Sequence, residues 1–233
     1  MIAVLVEPEQ LVEAAVVPLL PTEVHHLRVR RVRAGDPITL LDGHGRVGEG
    51  TLRSDGRVEI RSARQTPKPP GLVLAVGAGD RERFGWLAEK AAELDVTDLI
   101  PLETERTAGV AGRVKKSHME RLQRRATQAI KQSGAAWAPV VHPPHSLAEL
   151  LARHPSGRRW LADRDGGRPG LDGEQTGDTL IVVGPEGGWT EAERRLLVEA
   201  GLEPVRFGAN TLRFETAAIA GALLANLLRG RDP

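Results

Sequence analysis

Residues 65–71 read QTPKPPG, and this stretch limits the fold more than any other. Three prolines in seven residues remove three backbone donors and fix three φ angles, so neither a helix nor a central strand runs through it. Such a segment is a stiff connection. The rhythm of the sequence differs on its two sides. Upstream, PITLLDG (37–43), GRVGEGTL (45–52) and GRVEIRSA (56–63) are short strand patterns punctuated by the turn signals DGHG and SDG. The N-terminal IAVLVEP is also strand-like, and one short helix interrupts at TEVHHLRVRRV (22–32), with Thr22 as its N-cap. Residues 1–68 are therefore expected to form a small β-barrel.

Downstream, strands alternate with helices. LVLAVGA (72–78) leads to a helix over 81–94, then TDLIPLE (97–103). SHMERLQRRATQAIKQS (117–133) opens with Ser117 and Glu120, a capping box in which each end satisfies the other's free N–H. APVVHP follows, and SLAELLARH repeats the box at Ser146 and Glu149. RWLA, TLIVVG and PVRFG supply three more strands before a closing helix over 214–229. Strands joined by helical crossovers make a parallel sheet covered on both faces. The fold expected for residues 71–233 is α/β.

Composition removes several kinds of chemistry. With no Cys there are no disulfides, thiolate nucleophiles or Cys-ligated metals. The seven His residues are scattered without a metal-ligand spacing, so no metal is expected. A net charge of +1 excludes a strongly basic coat. Arginine is nonetheless clustered in HHLRVRRVR (25–33), where too few acids lie nearby to pair Arg28, Arg30, Arg31 and Arg33 locally. Phosphate is the natural partner of such a run, with a solvated face as the plain alternative. Absence of Tyr, with aromatics at 3%, argues against a base-stacking platform. No window approaches about 18 apolar residues, so no membrane span is expected. Met1 is followed by neither a basic segment nor a long apolar one, and the chain reads as cytoplasmic.

Parallel sheets bind ligands beyond the carboxyl ends of their strands, and two such ends stand out. In TLIVVGPEGGWTEAE (179–193), a β-branched run breaks at Gly184-Pro185-Glu186-Gly187-Gly188, and a helix capped by Thr190 and Glu193 follows. The loop has no Lys for a triphosphate, and Glu186 would repel a phosphate. It suits a ligand with a neutral or positive portion, or else a turn that needs glycine for geometry alone. The second end, FGANTLRFETAA (207–218), passes through Gly208, Ala209 and Asn210, with Thr211 or Thr216 to cap the last helix. Arg213 and Glu215 share this edge, as a surface salt bridge or as a catalytic couple. A dinucleotide fingerprint is not met, since GAGDRERFG after the first strand loses the required spacing. On the last helix, Ala217, Gly221 and Ala225 form a stripe of small residues that serves either core packing or a dimer interface. Leu223, Leu224, Leu227 and Leu228 add more apolar area than one core-facing side needs.

The segments VVGPEGG and FGANTLRFETAA resemble the last two signature segments of the SPOUT methyltransferases. In wording they are most similar to the 16S ribosomal RNA uridine-N3 methyltransferase family (RsmE). EKAAELDVTDLIPLETERT (89–107) resembles that family's first methyltransferase segment, including Lys90, Glu93, Leu94, Pro101, Glu105 and Arg106. HHLRVRRVRAGD with LLDGHG resembles its RNA-binding segment. The chain departs from the pattern at Lys131, where Glu is usual, and at Ala135, where Arg is usual.

The resemblance implies a SPOUT domain with a trefoil knot and parallel sheet behind a PUA-like β-barrel. It implies S-adenosylmethionine as cofactor, held around Leu161, Gly184, Pro185, Glu186, Gly187, Gly188, Gly208, Asn210, Leu212, Arg213 and Thr216. RNA would be met by His26, Arg28, Arg31 and Arg33, and by Lys90 and Arg106. Arg213 would stabilise the uridine anion, and Glu215 or Glu186 would take the N3 proton. A homodimer through the C-terminal helix, and 16S ribosomal RNA of the small subunit as partner, complete the expectation. The rival from another class is a non-catalytic RNA-binding or ribosome-assembly factor with a vestigial pocket.

Overall fold

A computed structural model describes residues 2–77, 79–107, 116–154, 156–170 and 177–229. The chain divides into two compact units, Met1–Lys68 with Thr127–Ala138, and Pro69–Ala126 with Pro139–Pro233.

The first unit is built on a five-stranded sheet. Its strands are β1 (Ile2–Leu5), β2 (Val16–Val17), β3 (Pro37–Leu41), β4 (Arg46–Leu52) and β5 (Val58–Gln65), in the order β1-β3-β4-β5-β2. β1 and β3 pair in parallel and the rest antiparallel. Val4, Leu40, Val58 and Ile60 from the strands and Leu27 from the helix close its core. That helix, α1, spans Pro21–Val29. It begins two residues earlier than the threonine reading required: Leu20 occupies the N-cap with no side-chain bond, and Thr22 lies inside the first turn. Proline explains the shift, since its missing N–H is an orphan at N1 in any case. The helix also ends sooner than 32. Arg30 is its C-cap, Arg31 adopts φ +57°, and the Arg33 N–H donates to Asp36 Oδ2 at 2.7 Å. Of the four arginines only Arg28 is helical. The other three are set on a turn.

The second unit carries a seven-stranded sheet in the order β12-β10-β11-β6-β7-β8, with β9 paired to β7. These strands are β6 (Leu72–Gly77), β7 (Asp98–Glu103), β8 (Val140–Val141), β9 (His145–Ser146), β10 (Arg158–Gly167), β11 (Thr179–Val183) and β12 (Glu203–Val205). Every pairing is parallel. Central β6 is buried throughout and its residues alternate between two cores. Leu72, Leu74 and Val76 meet α2 (Arg81–Glu93) and the last helix, while Val73 and Ala75 join Leu147, Leu150 and Leu197 on the other side. Between them come α3 (Lys116–Ser133), α4 (Leu147–Arg153) and α5 (Glu191–Glu199), and α6 (Phe214–Leu228) ends the fold.

The capping boxes at Ser146/Glu149 and Thr190/Glu193 are both formed. The one expected at Ser117/Glu120 is not a helix start, because Lys116 is already helical; the Ser117 side chain lies outside the described residues. Nor does a threonine cap α6. Its N-cap is Arg213, without a side-chain bond, and Thr216 is inside the helix. The small-residue stripe faces the protein's own core: a Cβ on Gly221 would lie 3.0 Å from Phe207 and 3.1 Å from Ile181. Among the described residues no helix is long and apolar enough to cross a membrane.

Within the first unit, Lys131 Nζ donates to both oxygens of Glu23, at 2.9 and 3.1 Å. The Glu23 side chain is only 1% exposed. Removing one member of a buried pair strands the other charge, at a cost of about 3 kcal/mol. Lys131→Ala should lower stability by that amount in urea denaturation, and Glu23→Leu combined with Lys131→Met should recover most of the loss.

Candidate active site

The loops leaving β11 and β12 open at the carboxyl edge of the sheet. They bound a cavity of about 750 Å³. Gly184, Pro185, Glu186 and Gly188 line it from the first loop, and Gly208, Asn210, Leu212 and Arg213 from the second. Not every expected ligand residue lies on this surface. Leu161 is fully buried in the core under the sheet edge. Gly187, Thr216, Glu215, Lys90 and Arg106 are not among the lining residues.

The first loop is held from several directions. The Gly188 N–H donates to the Pro185 carbonyl at 2.8 Å, and Gly188 takes φ +72°, which glycine adopts without steric cost. Arg106 donates to the Gly187 carbonyl. Behind the loop, a Cβ on Gly77 would sit 2.5 Å from the Pro185 nitrogen, so β6 must end in glycine for the two segments to pass. Glu193 completes the support. It is buried; its Oε2 accepts from the Thr190 N–H at 2.9 Å and its Oε1 from the Glu105 N–H at 2.8 Å. One carboxylate thus joins the start of α5 to the loop that follows β7.

Charge is placed on both sides of the cavity. Arg83, on the first turn of α2, reaches Glu186 Oε1 with Nη1 at 2.5 Å and Glu215 Oε1 with Nε at 3.9 Å. The Arg83–Glu186 pair is exposed enough to contribute about 0–1 kcal/mol. Glu215 is buried, and its Oε2 has no hydrogen-bond partner among the described residues. Arg213 is exposed and makes no ion pair among them. The Arg213–Glu215 bridge weighed from sequence is therefore replaced by Arg83–Glu215. Arg213 is the extended residue before the helix, whereas Glu215 lies within its first turn and is buried. Lys90 pairs with Glu93 at 2.7 Å and stands 6.0 Å from the Trp86 ring.

Several lining residues escaped the sequence reading: Arg83, Asp163, Arg164, Asp165, Arg194 and Phe207. Asp163 accepts from Arg194 Nε at 2.7 Å and, through its other oxygen, from the Asp165 N–H at 2.9 Å. The signal was WLADRD in an over-long strand. β10 pairs with β11 only through Leu161, and the residues beyond run along the cavity. The result is a pocket with apolar walls and fixed charges of both signs. It suits a ligand that is part flat and apolar, part charged. Among the described residues no cluster could hold a metal ion.

Residues 66–226 match the profile of an RNA methyltransferase domain and residues 21–61 that of an RNA methyltransferase PUA domain. The ribosomal RNA small subunit methyltransferase E of Synechocystis sp. is 31% identical across 96% of this chain and 76% of its own length. Its Bacillus subtilis counterpart is 27% identical over 95% of both. The crystal structure of a ribosomal RNA small subunit methyltransferase E from Neisseria gonorrhoeae bound to S-adenosyl methionine superposes with a TM-score of 0.83 at 30% identity, covering 98% of each chain.

Two substitutions separate the cap from the tie. Thr190→Ala removes the N-cap hydroxyl and should cost about 1 kcal/mol. Glu193→Ala also frees the Glu105 and Thr190 N–H groups, and should cost at least about 1 kcal/mol more. Urea denaturation of the two variants measures both.

Proposed function

The chain belongs to the RNA methyltransferase family, within its small-subunit ribosomal RNA methyltransferase E group, and we propose that it transfers a methyl group from S-adenosylmethionine to N3 of a uridine in 16S ribosomal RNA. The observation that carries this reading is the cavity between the two glycine loops. It has room for a nucleoside-sized ligand and no lysine among its lining residues. Its carboxylates, Glu186, Asp163 and Asp165, suit a positively charged sulfonium and an amino group. Gly184, Pro185, Gly188, Gly208, Asn210 and Leu212 would hold the cofactor by backbone and apolar contact, with Leu161, Gly187 and Thr216 supporting from outside the wall. Bound S-adenosylmethionine supplies an activated methyl group whose carbon–sulfur bond breaks with its electron pair going to sulfur. A vestigial pocket would have no reason to keep this wall, and the purely RNA-binding reading is the weaker one.

The protein's own task is alignment and proton removal, because uridine N3 carries a proton at neutral pH. In this reading Arg213, which is exposed at the cavity and has no ion pair among the described residues, stabilises negative charge on the uracil carbonyl oxygens. The proton goes to one of the two carboxylates tied by Arg83, Glu186 or Glu215. Arg28, Arg31 and Arg33, all exposed, bind RNA phosphates in this reading. Burial, then the nearby Lys131, lowers the pKa of His26, so at neutral pH it offers a hydrogen bond and not a charge. Lys90 and Arg106 are further RNA contacts. The close passages of Gly77 against Pro185 and of Gly166 against Pro204 and Val205 fit a knotted chain, where crossing segments need glycine. The cytoplasmic location expected from the sequence belongs to the same reading.

Dimerisation through α6 belongs to the same reading. Ala217, Gly221 and Ala225 are used inside the chain, but Leu223 and Leu227 are exposed, Leu227 at 73%, as is Trp86 on the helix packed beside it. An isologous contact would bury that surplus.

Mass spectrometry of small-subunit RNA from a strain lacking the protein tests the function: one N3-methyluridine should disappear, and an unchanged RNA would refute the reading. Arg31→Ala with Arg33→Ala should weaken RNA binding and flatten its log–log salt slope by about one unit for each phosphate no longer bound, with cofactor affinity unchanged in calorimetry. Light scattering should give twice the chain mass for the wild type and a single-chain mass for Leu227→Glu.

A further inference from the structure

We propose that Glu186 is the proton acceptor, that Arg83 controls its availability, and that Glu215 is the second seat to which Arg83 moves. This rests on the uridine-N3 reading above. Reach decides between the two carboxylates. A general base must come within hydrogen-bond distance of the proton it removes. Glu186 lines the cavity and its side chain is half exposed, whereas Glu215 is buried and absent from the lining.

Arg83 is shared between them. Its Nη1 holds Glu186 at 2.5 Å while its Nε stands 3.9 Å from Glu215 Oε1. Glu215 Oε2 is buried without a partner among the described residues, and a buried polar atom left unpaired is costly. A guanidinium fork satisfies both oxygens of a carboxylate at once. Sliding Arg83 fully onto Glu215 therefore completes the buried group and releases the exposed one. Only side chains need move. The backbone N–H groups of Glu82 and Arg83 are fixed by the Asp80 cap, and the Glu186 loop is fixed by the Gly188–Pro185 bond and by Arg106 on Gly187.

With Glu186 free, the N3 proton passes to its carboxylate. The electron pair left on N3 forms the new bond to the methyl carbon, and Glu186 afterwards returns the proton to water. Arg83 is thus a positioning residue, and Glu186 is the group that touches the reacting atoms.

The test is single-turnover methyl transfer to small ribosomal subunits lacking the modification, followed from about pH 6 to about pH 9. Wild type, Glu186→Gln, Glu215→Gln and Arg83→Met are compared, with the product mapped by mass spectrometry and S-adenosylmethionine affinity read by calorimetry. Glu186→Gln should lose roughly 100-fold or more in rate near pH 7 with S-adenosylmethionine saturating, beyond whatever it loses in cofactor affinity. Its rate should then climb about tenfold per pH unit, since only spontaneously ionised N3 reacts without a base. Glu215→Gln should be slower than wild type, with Arg83 left on Glu186, yet keep the wild-type pH profile. Arg83→Met should keep that profile too, and Arg83→Lys serves if the methionine variant does not fold.

A steep profile in Glu215→Gln instead of Glu186→Gln would assign the proton to Glu215 and overturn the proposal. So would a wild-type rate in Glu186→Gln, or a defect confined to cofactor affinity. If the wild type makes no N3-methyluridine, the functional reading itself fails, and the proposal with it; that result is visible before any variant is compared.

Discussion

Because every pairing in the large sheet is parallel, the loops leaving β6, β7, β10, β11 and β12 all emerge at one edge. The site depends on that constraint. Segments far apart in sequence, from Arg83 to Arg213, are delivered to one cavity without any long excursion of the chain. The same constraint crowds the edge. Glycine at 77 and 184 is the local answer, since a Cβ at 77 would strike Pro185 and one at 184 would press on Trp189.

Carboxylates then do most of the fastening at that edge. Glu193 joins the helix after β11 to the loop after β7, Asp163 holds Arg194, and Glu186 meets Arg83. These ties differ in depth. Glu193 is buried and bonded to backbone N–H groups, so it is a fixed part of the frame. Glu186 is on the surface and bonded to one half-exposed side chain, so its contact is cheap to exchange. A rigid rim with one labile ion pair is a division that catalysis by alignment favours.

What was legible in the sequence was local. The GPEGG loop, its Thr190/Glu193 box and the Ser146/Glu149 box are read from residues three or four apart, and all are in place. The alternation of strands and helices after residue 71 announces the parallel sheet for the same reason. Failures came where the partner is distant or a neighbour overrides a preference. Thr22 is a good cap in isolation, but Pro21 starts α1 before it. Arg213 lies close to Glu215 in sequence, yet Arg83 on another helix takes the carboxylate. Ala217, Gly221 and Ala225 describe a close approach without saying to what; Phe207 and Ile181 supply the answer for Gly221. The outer half of β10 was missed because its acids and arginines have no strand-like alternation of polarity.

The Lys131–Glu23 pair has a consequence for how such chains can change. Lys131 stands where the resembling family usually carries a glutamate, and it faces a carboxylate that is almost fully buried. Restoring the family residue at 131 alone would bring two acidic side chains together out of water, an arrangement that drives one of them to keep its proton. Neither position can drift independently without crossing an unstable intermediate. The two side chains therefore act as one unit. A chimera joined between residues 23 and 131 would import half of it.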